Sequence, residues 1–272
     1  MIKVLDLDKM FDKYIEKYVY DNVGKIKPEE IENNIPILYE KFGEEKLTEL
    51  SGETPNGYYR NFDVETLLKT LKEHLESGVS VSDFLCEAIT ASKDCESAVL
   101  KELNKDWDAE YTAYLMNFLE TIKGKIPTYR YIEFALYDYP EEIGELATEF
   151  LCENADAVKS AVLSAYKDAP QDKKVRLTEV LSNVKEKEDA VFDILIAEFV
   201  KHKENIPFYA SLIARYGDER AIPFLNTAIE EKINYADFEE LRFAIESLGG
   251  EYKGDKDFSA DKVYKKIKAS KG

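Results

Sequence analysis

Helical periodicity is the feature that most constrains how this chain can fold. Apolar residues recur at three- and four-residue intervals in segments of about 10–16 residues. The first such segment carries Phe11, Tyr14, Ile15, Tyr18 and Val19. The 8 prolines and 12 glycines lie mostly between segments, where helices begin or end, because proline lacks the N–H that a helix interior needs. We find no alternating apolar–polar stretch bounded by turn residues, so the sequence predicts an all-α fold.

A pattern of helix pairs recurs in the second half of the chain. Ala221, Ala190 and Ala157 each precede a branched apolar residue and follow a polar segment, at intervals of 31 and 33 residues. Each of the three helices that begin there is preceded by another helical segment. Helix pairs at a fixed period are typical of an α-solenoid, in which no pair buries its apolar face without its neighbours. An irregular helical bundle is the alternative.

One segment of this pattern resembles a known repeat family. The segment "LIARYGDERAIPFLNTAIE" (212–230) resembles a HEAT repeat of the short bacterial type, in which Gly-Asp ends the first helix and Arg-Ala-Ile-Pro begins the second. Gly217 is expected to adopt the left-handed conformation that ends a helix, Asp218 to cap the next helix, and Pro223 to lie in its first turn. Arg220 and Asp218 are therefore predicted to be turn and cap residues. The resemblance implies a right-handed α-α superhelix, a HEAT-like solenoid.

The repeat pattern divides the chain. We expect four or five degenerate repeats over about 105–268, hence a repeat region at 105–272 that ends in a Lys-rich tail. Residues 1–104 are expected to form a helical N-terminal cap that covers the open end of the array. Within that cap, helices are predicted near 6–20, 28–42, 63–77, 79–91 and 95–104. The polar stretch "ELSGETPNGYYRNF" (49–62) is predicted to be a loop.

The charge of the chain limits its partners. The net charge is -18 and the pI is near 4.7, so phosphate backbones should be repelled and no nucleic-acid partner is expected. Apolar residues make up 44% and charged residues 34%, which is typical of a soluble protein. No apolar run reaches about 18 residues, and the first residues lack a basic end followed by an apolar stretch, so we expect a cytoplasmic protein with no membrane segment and no secretory signal. Cys86, Cys95 and Cys152 have no paired spacing and are predicted to be reduced thiols. The Lys-rich tail is predicted to be a solvated last helix, or a basic arm that docks on an acidic surface.

Catalytic motifs are not recognisable. The two histidines, His74 and His202, are far apart, and neither is followed by Glu as in the di-iron HEAT hydroxylases. Paired carboxylates fall at helix starts or on exposed faces, which favours the helix dipole and solubility. The sequence therefore predicts no catalytic residue, no metal and no cofactor, and hence a protein that is not an enzyme.

A nucleic-acid alternative comes from the glycosylase-like HEAT proteins, which place an acid and aromatic residues beside damaged DNA. Trp107, flanked by Asp106 and Asp108, offers such a pairing. Asp108 is equally well placed as a helix N-cap, with Trp107 packed against the turn. A further alternative is an accessory subunit of a larger bacterial assembly, tethered by the Lys-rich tail.

Tyrosine-rich segments are the remaining candidates for a binding site. The segment 126–140 carries more aromatic residues than one buried helix face needs, and we expect Tyr131, Phe134 and Ile132 to face the core. The candidate partner-binding residues are Tyr129, Tyr137 and Tyr139 in this segment and Tyr58, Tyr59 and Arg60 in the 49–62 loop. Tyrosine is enriched at binding hot spots. The sequence thus predicts a non-catalytic protein–protein interaction module that holds a basic or amphipathic partner segment on a concave acidic face.

Overall fold

The computed structural model of the chain describes residues 2–23, 28–105, 108–137, 139–231 and 233–270. Over these residues the protein is 72% helix with no strand, which confirms the predicted all-α class. Its helices are α1 (Leu7–Asp21), α2 (Pro28–Gly43), α3 (Pro55–Tyr58), α4 (Val64–Ser77), α5 (Asp83–Thr90), α6 (Cys95–Leu103), α7 (Ala109–Thr121), α8 (Thr128–Leu136), α9 (Glu141–Glu153), α10 (Ala155–Asp168), α11 (Lys174–Ser182), α12 (Asp189–Lys201), α13 (Ile206–Tyr216), α14 (Ile222–Glu230), α15 (Tyr235–Ser247) and α16 (Lys262–Ser270). None of the helices within the described ranges is long and apolar enough to cross a membrane.

The helices begin and end where local chemistry predicts. The Asp63 carboxylate accepts a hydrogen bond from the Thr66 N–H at 2.8 Å and so caps α4. Asp108 caps α7 in the same way, through the Tyr111 N–H at 2.9 Å. Gly217 ends α13 with a φ of 73°, a left-handed conformation that favours glycine. The first turn of α14 contains proline, as predicted.

The chain forms two compact units, Met1–Pro127 and Thr128–Gly272. In the first unit, α7 packs on α4, α5 and α6, and α1 packs on α2. Its fully buried side chains include Leu67, Leu71, Leu85 and Leu115. The predicted start of the repeats at residue 105 falls inside this unit, between α6 and α7. The assignment of α7 to a repeat stays a prediction.

The connection between α2 and α4 is more ordered than a polar loop. Thr54 caps the short helix α3 through the Gly57 N–H at 3.1 Å, and a 3-10 turn follows at Tyr59–Asn61. The helix predicted from residue 79 begins only at Asp83, because the backbone at Ser82 is extended. The Gly and Pro content correctly indicated turns but concealed this short helical segment.

The second unit consists of two sets of helices. The first-helix layer comprises α9, α11, α13 and α15, and each of these helices contacts the next. The second-helix layer comprises α10, α12 and α14, which contact α11, α13 and α15 respectively. The helix α8 packs on α9, α10 and α11. The core between the layers contains Leu177, Leu195, Leu225 and Leu241.

The turn between α13 and α14 links neighbouring helix pairs. The buried Asp218 carboxylate accepts hydrogen bonds from the Arg220 N–H at 3.0 Å and from the Arg220 guanidinium at 2.7 Å. That hydrogen bond from the Arg220 side chain is the main reason why the pKa of Asp218 is lowered. Arg220 also reaches Asp189 at 2.7 Å and lies 4.4 Å from the centre of the Phe192 ring, both in α12. Arg220 and Asp218 are therefore turn and cap residues, as predicted, but Asp218 caps the 3-10 turn Glu219–Ala221 and not α14 itself.

Candidate functional site

Helix α8 exposes part of its aromatic set and buries the rest. Tyr129 and Tyr137, two of the predicted binding residues, are 79% and 54% exposed. Tyr131, Phe134 and Ile132 are buried, as predicted. The two exposed tyrosines are thus available to a partner.

Tyr139 packs against and hydrogen-bonds to residues of α8. It is half-buried, with its ring edge-on to Phe134 at 4.8 Å. Its hydroxyl accepts a hydrogen bond from Arg130 at 2.9 Å and lies 3.3 Å from the carboxylate of Glu133. These contacts fix the backbone that leads into α9, so Tyr139 positions this segment rather than presenting a free ring.

The predicted binding residues of the 49–62 segment are likewise partly buried and partly accessible. Tyr59 has no exposed surface, and burial raises the pKa of its hydroxyl to about 12. Tyr58 is half-buried and packs edge-on against Tyr59 at 5.2 Å and against Phe62 at 5.7 Å. Arg60 is exposed. Tyr59 is therefore a core residue in this structure, because the 3-10 turn directs its ring inward, and only Tyr58 and Arg60 offer surface.

A groove across the first-helix layer was not singled out by sequence. It has a volume of about 430 Å³ and crosses α9, α11 and α13. Its lining residues are Glu141, Glu145, Thr148, Glu149, Cys152, Val175, Arg176, Glu179, Asn183, Phe208 and Arg215. We call it the glutamate groove. Because a helix repeats every 3.6 residues, Glu141, Glu145 and Glu149 form one row along α9.

Arg176 organises one end of this groove. Its guanidinium donates to the Ala135 carbonyl at the end of α8, at 2.8 Å, and forms an ion pair with Glu141. It crosses α9 over Gly144, where a Cβ atom would collide with the guanidinium. Glycine costs about 1 kcal/mol relative to alanine inside a helix. Close approach of Arg176 explains why α9 carries this glycine.

Two glutamates of the groove are left without a partner. Arg215 lies 3.7 Å from Glu179, and Arg176 neutralises Glu141. Glu145 and Glu149 are exposed and make no hydrogen bond or ion pair within the described part of the chain. Like charges four residues apart on a helix destabilise it by about 0.2–0.5 kcal/mol. The fold therefore gains nothing from this pair, and its negative charge is available to a ligand.

Cys152 lines the glutamate groove and has a thiol with a raised pKa. Burial, with the nearby Glu179 carboxylate, raises the pKa of its thiol to about 12. Burial likewise raises the pKa of Cys86 to about 12 and of Cys95 to about 11. A thiol with so high a pKa is a poor nucleophile at neutral pH. These cysteines are all free thiols in the structure.

Both histidines make contacts with neighbouring residues of the fold. His74 is fully buried, and its Nδ1 lies 2.8 Å from the Ser80 carbonyl, which only accepts, so Nδ1 carries a proton. His202 lies 3.1 Å from the Glu198 carboxylate and stacks on Tyr209 at 5.0 Å. Over the residues that the structure describes, no three His, Cys, Asp or Glu side chains converge to hold a metal ion.

The acid–aromatic pairing of the nucleic-acid alternative is only partly visible. Asp106 and Trp107 lie outside the described residues, whereas Asp108 is the N-cap of α7. The groove that the structure does show carries four glutamates against two arginines, a charge that repels phosphate. No observation favours a DNA-directed activity, which stays an untested alternative.

Comparison of the chain with protein-family models, with curated proteins and with solved structures gave no match. The resemblance to HEAT repeats thus depends on the residues of this chain alone.

Proposed function

We propose that the second unit is a degenerate array of HEAT-like repeats, wound as a right-handed superhelix. Its support is a recurring sequence separation between side chains that link neighbouring helix pairs. The Lys185 N–H bonds Asp156 across 29 residues, Arg220 bonds Asp189 across 31, and Tyr166 bonds Glu198 across 32. Contacts that recur near one period are what stacked repeats produce, because each repeat touches only its neighbours.

This array serves as a non-catalytic protein-interaction module. Its binding surface is the glutamate groove, and its partner is a basic, amphipathic segment of another polypeptide. The observation that carries this proposal is the unpaired row of Glu145 and Glu149 in an open groove that also contains Phe208. Lysines of the partner would pair with the two carboxylates while apolar side chains pack against Phe208 and Val175.

Two exposed tyrosines near Arg130 and Ala135 are part of the proposed binding surface. Tyr137 lies two residues beyond Ala135, whose carbonyl is bonded to the groove residue Arg176. Tyr129 is exposed in the first turn of α8. Tyrosine supplies rigid, amphipathic contact area at low entropic cost, so both rings suit the apolar face of a bound segment.

The affinity should be modest and salt-dependent. Exposed ion pairs contribute about 0–1 kcal/mol each, so two of them cannot hold a partner alone. Packing on Phe208, Tyr129 and Tyr137 must supply the larger part. Because the carboxylates are exposed, salt at about 0.5 M should screen their share of the attraction.

The test uses a fluorescein-labelled, helical Lys/Leu peptide of about twelve residues, with fluorescence anisotropy as the readout. Glu145→Lys with Glu149→Lys should weaken binding at least about tenfold, which corresponds to about 1.4 kcal/mol. Tyr129→Ala with Tyr137→Ala should weaken it as well. The matched control is Asp12→Lys with Glu16→Lys, an exposed pair of the same spacing on α1, which should bind like the wild type.

Binding that is insensitive to salt and unchanged in both groove variants would contradict the proposal. A Lys/Leu peptide in which every lysine is replaced by glutamate should not bind, since it would face the same carboxylates. Equal loss of affinity in the α1 control would assign the effect to net charge instead of the groove.

A further inference from the structure

The C-terminal helix α16 exposes an apolar face among the residues of its unit that the structure describes. Val263 and Ile267 are 46% and 37% exposed, and they lie four residues apart on one side of the helix. Lys262 and Lys266 flank them at the same spacing, and α16 contains no acidic residue. The helix is thus basic and amphipathic, which is the chemistry that the glutamate groove is proposed to bind.

The start of α16 is fixed on α15. The Asp261 carboxylate accepts hydrogen bonds from the Val263 N–H at 2.7 Å and from the Tyr235 N–H, at the start of α15, at 3.2 Å. The Tyr264 ring packs edge-on against Tyr235 at 5.0 Å. These contacts partly cover the Tyr264 side of α16 and leave Val263 exposed. The uncovered face is therefore presented to a second molecule while this anchor persists.

The dimensions of helix and groove agree. Nine residues of α-helix are about 14 Å long, and the row from Glu141 to Glu149 rises about 12 Å along α9, so α16 can lie alongside this row. Lys262 and Lys266 are about 6 Å apart along their helix, which is also the rise between Glu145 and Glu149 on α9. Both members of each pair lie on one face, so the two ion pairs can form together.

We propose that α16 of one copy docks in the glutamate groove of a second copy, so that the protein associates head to tail. This inference rests on the proposed function of the groove and names its partner. Lys262 and Lys266 pair with Glu145 and Glu149, and Val263 and Ile267 pack against the apolar groove residues. Such a contact joins two different surfaces, so it builds a ring or an open chain of copies.

The association should be weak. A nine-residue helix buries less area than a standard stable interface, which is about 1,600 Å². Two bodies of net charge -18 also repel one another, and this repulsion is screened beyond about 8 Å at physiological ionic strength. The attraction is local to the basic helix and therefore acts at contact distance.

The test is sedimentation velocity at about 0.15 M salt over a range of protein concentrations. The wild type should show a sedimentation coefficient that rises with concentration. Lys262→Glu with Lys266→Glu, and separately Glu145→Lys with Glu149→Lys, should each weaken association at least about tenfold. An equimolar mixture of the two variants should associate again, because each restores the opposite charge that the other lacks.

Matched controls come from α1. Lys13→Glu with Lys17→Glu reverses two exposed lysines of the same spacing and should associate like the wild type, as should Asp12→Lys with Glu16→Lys. A wild type that stays monomeric at all concentrations would overturn the inference. Association that survives in either reversed variant, or fails to return in the mixture, would overturn it too.

The same variants separate this inference from the proposed function. If the Lys/Leu peptide binds the groove while the wild type stays monomeric, the groove function stands and the second copy is not its partner. If α16 instead folds onto its own groove, Lys262→Glu with Lys266→Glu should bind that peptide more tightly than the wild type, both being monomers. Loss of binding to anionic lipid vesicles in that variant, with a monomer throughout, would assign α16 to a membrane surface.

Discussion

The two helix layers of the second unit use their charged residues differently. In the second-helix layer and its turns, charges on one helix pair meet opposite charges on the next. Lys159 pairs with Glu188, and Arg220 pairs with Asp189. In the first-helix layer, Arg176 and Arg215 neutralise one glutamate each, and Glu145 and Glu149 remain unpaired.

This comparison distinguishes charged residues whose ion pairs stabilise the fold from charged residues that have no partner within it. An ion pair between successive helix pairs fixes how these pairs are aligned, whereas two neighbouring carboxylates only repel each other. The unpaired row is therefore a part of the surface that the fold does not explain, and unlike the exposed acids of α1 it lines a groove. We expect substitutions in the paired set to change stability and substitutions in the unpaired set to change binding.

The largest expected effect on stability is at the α13–α14 turn. Asp218→Ala removes the buried carboxylate that caps this turn and neutralises Arg220. Loss of a helix cap costs up to about 2 kcal/mol, and we expect a loss of that size in the free energy of unfolding. Urea denaturation measures it, and affinity for the Lys/Leu peptide should not change. Weaker peptide binding with unchanged stability would reverse the assignment of the two layers.

The pH dependence of stability provides a control for the Asp218→Ala substitution. Because the folded-state pKa of Asp218 is lowered, its ionised form stabilises the fold above the ordinary carboxyl pKa of about 4. That contribution is lost as the pH falls through the lowered folded-state pKa. The stability difference between wild type and Asp218→Ala should stay constant from pH 7 to about 5 and shrink below about 4.

A smaller effect is expected at Gly144 in the first-helix layer. Alanine there gains about 1 kcal/mol of helix propensity, but it displaces the Arg176 guanidinium from the Ala135 carbonyl. Hydrogen bonds to charged groups contribute about 1.5–3 kcal/mol, so Gly144→Ala should be net destabilising by about 1 kcal/mol. Combined with Arg176→Ala, the same substitution should instead stabilise by about 1 kcal/mol. A double-mutant cycle in urea measures this reversal of sign.

The smallest effect is expected from a charge reversal on the second-helix layer. Asp193 is exposed on α12 and lies outside the glutamate groove. Asp193→Lys changes the net charge as Glu149→Lys does, but it acts on the bound peptide only through screened, longer-range attraction. Anisotropy should show at most about a twofold change for Asp193→Lys. An equal loss for both substitutions would mean that binding follows overall charge instead of the groove.

Much of the architecture follows from local sequence signals. The helices predicted near 6–20, 28–42 and 63–77 appear as α1, α2 and α4, because caps and periodicity act within a few residues. The Gly217–Asp218 turn and the inward face of α8 were predictable for the same reason. The burial of Tyr59 could not be predicted, because the composition of its segment indicates turns but does not determine which ring points inward.

The groove itself could be predicted only in part. The row of Glu141, Glu145 and Glu149 has the spacing of one helix face and is visible in the sequence. Its combination with Arg176 and Phe208 depends on how α9, α11 and α13 are aligned, which no local pattern specifies. The sequence predicted an acidic interaction surface and named tyrosines as its candidate residues, and both that prediction and the role proposed for the glutamates remain to be tested by binding.

The cysteines offer the most direct measurement of the central claim. Cys152 lines the glutamate groove, whereas Cys86 lies in the first unit, and burial raises both thiol pKa values to about 12. Iodoacetamide alkylation of the two thiols can be followed by mass spectrometry in one sample at about pH 9, where more thiolate is present than at neutral pH, with and without saturating Lys/Leu peptide. The account predicts that the peptide slows alkylation of Cys152 at least about threefold and leaves the rate at Cys86 unchanged. An unchanged ratio of the two rates, with the peptide shown by anisotropy to be bound, would contradict it.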